Sequence, residues 1–105
     1  MNKQRRNDLK SVMKDLNEQK EEITGVIDSL DMSMTDVEMA ADDEQWSFDN
    51  LPEGLQSSER GEQLEENASD LQDVVSDIDI LKDVLTGACE RIDNINEKIE
   101  EIIKR

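Results

Sequence analysis

The sequence contains no histidine and no tyrosine, and its 105 residues include one cysteine, one proline, one tryptophan and one phenylalanine. With no imidazole, and with Cys89 as the sole thiol, the usual pairings of nucleophile and base are missing. The glycines Gly54 and Gly61 do not form a phosphate-binding loop. Carboxylate chemistry needs a concave apolar pocket to shift pKa values, and a chain of long packed helices does not supply one. Asp42-Asp43-Glu44 and Asp77-Ile78-Asp79 lack the spacing and the glycine of a calcium-binding loop. The sequence therefore points away from an enzyme and implies no catalytic residue, cofactor or metal site. A single cysteine excludes an internal disulfide and fits a reducing compartment. The chain has no uncharged apolar run of about 18 residues, and the polar start Met1-Asn2-Lys3-Gln4-Arg5-Arg6 carries no signal-peptide core. The expectation is a cytoplasmic protein without a membrane partner.

Cations are also scarce. Against 28 acidic residues stand 12 basic ones, a net charge of −16. That balance argues against direct binding to nucleic acid or an anionic membrane and favours a protein partner with a basic surface. With 34% hydrophobic residues the chain cannot fill a large globular core. So high a charge would signal disorder if the apolar residues were scattered.

They are periodic instead. From Leu64 to Ile103 the apolar positions Leu71, Val74, Ile78, Leu81, Leu85, Ala88, Ile92, Ile95, Ile99 and Ile102 alternate steps of three and four, a heptad seam. Val75, Cys89 and Ile103 form an extra row beside it, and Lys82 lies just off it. An earlier stripe runs Leu9, Met13, Leu16, Lys20, Ile23, Ile27, Leu30, Met34, Val37 and Ala41, with Lys20 its only charged intruder. Phe48 follows seven residues after Ala41. Gly25 and Gly87, each preceded by threonine, should cost about 1 kcal/mol apiece relative to alanine, unless they mark a kink or a close helix contact.

Between the stripes lies Asp49-Asn50-Leu51-Pro52-Glu53-Gly54-Leu55-Gln56-Ser57-Ser58, in which Pro52 and Gly54 stop one helix. Ser57 or Ser58 is suited to cap the next, with Glu59 and Glu62 at its positive end, and Pro52 to Gln56 is suited to one short helical turn. The expected architecture is all-α and a single domain, residues 1–105, with a helix over about 3–47, a link over about 48–58 and a helix over about 59–104. Arms of nearly equal length joined by a short link favour a long antiparallel helical hairpin, a coiled coil. The extra row on the second helix needs cover, and a second copy supplies it most cheaply, giving a homodimer built as a four-helix bundle.

Charge is uneven along the chain. Residues 1–20 hold six basic and three acidic side chains, residues 21–79 one and nineteen, and residues 80–105 five and six. Both aromatics sit in the acidic region, in Asp42-Asp43-Glu44-Gln45-Trp46-Ser47-Phe48-Asp49. With Leu30 and Val37 on the seam, Met32, Met39 and Trp46 share an outward heptad position. A strip of this kind suits an adaptable contact surface with a tryptophan anchor. The candidate partner-binding residues are Met32, Met39, Asp42, Asp43, Glu44, Trp46 and Asp49.

The phrase Phe48-Asp49-Asn50-Leu51-Pro52-Glu53-Gly54-Leu55-Gln56-Ser57-Ser58-Glu59-Arg60-Gly61-Glu62 resembles one found in small coiled-coil proteins of phages and mobile elements from Firmicutes, a group with no settled activity. The resemblance implies a genomic setting and a host cytoplasm, and it assigns no site residues. The functional expectation is a non-catalytic acidic interaction protein of phage or mobile-element origin. It would bind and inhibit a host defence or nucleic-acid-handling protein through its acidic aromatic end, in the sharper version as a nucleic-acid mimic. The alternative is a structural coiled-coil scaffold or assembly chaperone.

Overall fold

The computed structural model describes residues 1–105, which fold as two long α-helices packed in an antiparallel hairpin, with no strand. Helix α1 spans Lys3–Asp49 and helix α2 spans Glu59–Lys104, 47 and 46 residues, joined through a 3-10 turn at Glu53–Leu55. At 1.5 Å rise per residue each helix is about 70 Å long. Helices in proteins draw most of their stability from packing an amphipathic face rather than from propensity, so the apolar stripes that bring α1 and α2 together carry the fold.

Side chains close the free ends. Asn2, which the sequence pattern did not single out, caps α1: its Oδ1 accepts from the Arg5 backbone N–H at 2.8 Å. At the other end of α1 the Trp46 carbonyl accepts from both the backbone N–H of Asn50, at 3.0 Å, and its side-chain Nδ2, at 2.7 Å. The expected short turn forms where Leu55 N–H donates to the Pro52 carbonyl at 2.7 Å. Ser58 is the cap of α2, its Oγ accepting from Gly61 N–H at 3.2 Å. Gly61 is required there, because a Cβ would stand 2.8 Å from the Leu55 carbonyl oxygen and collide with the Gln56 backbone. Gly25 and Gly87 need no such explanation: a Cβ on either meets nothing within 4 Å, so neither marks a close helix contact.

The chain divides into two compact units, residues 1–28 with 82–105 and residues 29–81. In the first, Leu9, Met13, Leu16, Lys20, Ile23 and Ile27 of α1 pack toward Lys82, Leu85, Cys89, Ile92, Asn96, Ile99 and Ile103 of α2. In the second, Leu30, Met34, Val37, Ala41 and Phe48 meet Leu64, Ala68, Leu71, Val75 and Ile78. No large side chain is fully buried; only Ala41, Leu64, Ala68 and Cys89 form a dry apolar core.

The α1 stripe is the one that the sequence pattern predicts. The α2 seam is not, and this is a correction. Leu71, Ile78, Leu85, Ile92 and Ile99 do face α1, but the alternate inward positions are Val75, Lys82, Cys89, Asn96 and Ile103. Val74, Leu81, Ile95 and Ile102, expected inside, are exposed. Two polar residues, Lys82 and Asn96, thus displace apolar ones, and α1 offers Asn96 a partner. Asn96, 9% exposed, donates from Nδ2 to Asn17 Oδ1 at 2.9 Å, and placing row 82–89–96 inward also brings Asp93 to Lys20.

Candidate protein-interaction interface

Met32, Met39 and Trp46 follow one another at seven-residue intervals on α1, which puts them on one line of the helix surface, away from α2. They are 72%, 60% and 67% exposed, the most open large apolar side chains of α1. Neighbours three and four residues away share that surface. Met39 is accordingly flanked by Asp36, Asp42 and Asp43, and Trp46 by Asp42, Asp43 and Asp49, all exposed. The result is an apolar line with an acidic margin on both sides.

Six of the seven sequence candidates, Met32, Met39, Asp42, Asp43, Trp46 and Asp49, therefore lie together. Glu44 does not. It stands at a seam position, half-buried, where its Oε2 accepts from Asn67 Nδ2 of α2 at 3.2 Å. Its carboxylate serves the packing of the hairpin and is turned from the strip. Asp36, missed in the sequence pattern, belongs to the margin, and its position three residues before Met39 was the available signal. Asp49 is also tied locally, accepting from Gln45 Nε2 at 3.0 Å.

The unit that holds the strip, residues 29–81, contains sixteen acidic residues and one basic residue, Arg60, a net −15; residues 1–28 with 82–105 contain twelve and eleven, a net −1. This charge is not arranged to stabilise α1. A helix favours anions at its N-terminus and cations at its C-terminus. Yet α1 has no acidic residue in its first turn and no basic residue in its last. It begins with Lys3, Arg5 and Arg6 and ends with Asp49, against its own dipole. Helix α2 follows the rule, with Glu59 and Glu62 at its start and Lys104 at its end.

No group of three or more Cys, Asp or Glu side chains is placed to hold a metal ion, and no helix is long and apolar enough to cross a membrane. No family model matches the chain, and no curated protein or solved structure matches it either.

Proposed function

We propose that this chain is a non-catalytic interaction protein of phage or mobile-element origin that docks on a basic protein surface of the host and inhibits the protein that carries it. The observation that carries the reading is the Met32–Met39–Trp46 line, exposed along its length between aspartates. A groove with an apolar floor and a lysine- or arginine-lined rim is its complement, and such grooves belong to proteins that handle nucleic acid. Tryptophan and methionine supply the desolvated contact, while the aspartates steer approach and stand where phosphates would. The charge pattern of α1 supports selection for a partner over selection for helix stability, since each end opposes the dipole at a cost of some tenths of a kcal/mol per charge. In this reading the chain works as a homodimer.

The test is capture of host proteins on the immobilised chain, with Trp46→Ala as the control. The expected result is one dominant basic enzyme, lost with Trp46→Ala and competed off by that enzyme's own nucleic acid. Recovery of a virion component, or equal capture by Trp46→Ala, would hand the protein to the scaffold reading.

A further inference from the structure

The two flanks of the hairpin differ in kind. One is marked by Asn17 with Asn96 and by Lys20 with Asp93, pairs that join α1 to α2. Every heptad position on that flank is polar, from Asn17 to Gln45 on α1 and from Gln72 to Glu100 on α2. On the opposite flank α2 presents Val74, Leu81, Ala88, Ile95 and Ile102, five apolar residues seven apart on one unbroken helix. The four large ones are exposed, Leu81 by 46% and Ile95 by 45%. Helix α1 adds Val12, Gln19, Val26, Ser33 and Ala40 on the same side, all exposed and uncharged, with Gln19 the one long polar side chain of the row. Neither row carries a charge between Val12 and Ala40 or between Val74 and Ile102, in a chain that is 38% charged. A random surface of this protein would not avoid charge for so long.

We infer that this charge-free flank is the face on which a second copy of the chain docks, with the two hairpins running in opposite directions. Three arguments select a second copy. Each row covers about 42 Å of helix, so two rows about 10 Å wide offer on the order of 800 Å² per copy, what one partner of a stable protein–protein interface buries. Its small residues, Ala40, Ala88 and Ser33, let helices approach closely, which suits helix-on-helix packing into a four-helix bundle. The charge then fixes direction. Within each helix the half next to the link is the acidic one, −7 over 29–49 and −7 over 59–81 against 0 over 3–28 and −2 over 82–104, so copies pointing the same way set acidic half against acidic half, whereas opposed copies set each beside a nearly neutral one. Opposed twofold packing lays α2 on the partner's α2, and full overlap of the two apolar rows puts Ala88, midway between Val74 and Ile102, against its own counterpart. The inference rests on the homodimer of the proposed function; the Met32–Met39–Trp46 line lies further round α1, so failure of the dimer overturns that part alone and leaves the partner-docking strip to its own test.

The test is analytical ultracentrifugation at physiological salt combined with cysteine cross-linking in a Cys89→Ser background. Wild type should sediment as a dimer. Leu81→Glu and Ile95→Glu, at already exposed positions, should raise the dimer Kd by on the order of 100-fold or more while circular dichroism shows the helices intact. Gln72→Glu, on the polar flank, should leave the dimer unchanged. Ala88→Cys should form an intermolecular disulfide and Ile102→Cys should not. A wild-type monomer at about 100 μM, or a dimer that survives Leu81→Glu, overturns the inference. If Leu81→Glu loses its helix, cross-linking decides: absence of the Ala88→Cys disulfide rejects the opposed dimer.

Discussion

Lys20 reaches across the hairpin to Asp93 and donates to both carboxylate oxygens, at 2.7 and 2.9 Å. A lysine in an apolar stripe is tolerable only if its ammonium group finds a partner at the rim, and Asp93 sits where it can supply one. The hydrogen bond to Asp93 holds the Lys20 amine above its ordinary 10.5, with the Asp93 charge adding to it and desolvation working in the opposite direction. Because the folded-state value is raised, the pair stabilises the fold below pH 10.5 and that contribution is lost as pH rises through the folded value. Both side chains are partly exposed, 35% and 48%, so the effect is modest.

Asp93→Asn should therefore lower the melting temperature by a few degrees between pH 7 and 10. The difference from wild type should close at higher pH, where Lys20 loses its proton in either protein. A gap that persists unchanged at alkaline pH would show that Asp93 acts through something other than Lys20. Thermal melts by circular dichroism across the pH series measure it.

Asn17 and Asn96 form the second polar inclusion, and it is imperfect: Asn96 Oδ1 is buried without a hydrogen-bond partner. A buried unsatisfied oxygen costs about 1–3 kcal/mol, and a buried asparagine at a seam position is a known device for fixing register. Asn96→Val should raise stability by about 1 kcal/mol, and Asn17→Ala, which strips Asn96 of its remaining partner, should lower it by about 1–2 kcal/mol. Urea denaturation compares the two. Destabilisation by Asn96→Val would mean that the oxygen finds water in solution.

Gly25 and Gly87 stand in helix interiors with open space where a Cβ would be. Each follows a threonine, Thr24 or Thr86, whose hydroxyl donates to the carbonyl four residues earlier at 3.0 Å, an arrangement that tends to bend helices. Alanine at either site should stabilise by about 1 kcal/mol, or roughly 4–8 °C in melting temperature. Gly61→Ala should do the reverse, because its Cβ has nowhere to go. Differential scanning calorimetry of the three variants separates helix propensity from steric demand; a neutral Gly61→Ala would show that the link yields.

Much of the fold was legible because period and punctuation are local properties. The α1 stripe, the link at Pro52 and Gly54, the cap at Ser58 and the outward position of Trp46 all follow from spacing and residue type within one helix. The inward row of α2 was not legible. At 74/75, 88/89 and 102/103 two apolar residues adjoin, and at 81/82 and 95/96 the more apolar choice was wrong. What decided between them was on the other helix, in Lys20 and Asn17, whose need for polar partners outweighs the burial of Leu81 and Ile95. The same fact hid Glu44, whose neighbour Asn67 is 23 residues away in sequence.

The acidic margin of the Trp46 strip gives the sharpest prediction about function. If Asp36, Asp42 and Asp43 steer a basic partner, replacing all three by Asn should leave the helices intact, since all are exposed and none lies on the seam. Association at low salt should slow by about tenfold or more, while dissociation changes little, because steering acts on the encounter. Trp46→Ala should show the opposite signature, faster dissociation with a nearly unchanged on-rate, because a desolvated anchor acts after contact. Glu44→Gln supplies the contrast within the sequence Asp42-Asp43-Glu44: its carboxylate is held by Asn67, so it should alter stability slightly and association hardly at all. Surface-resonance kinetics over a salt series, with the captured partner as analyte, reads the three variants against wild type. Wild-type on-rates for the triple variant at every salt concentration would reduce the aspartates to solvating charge.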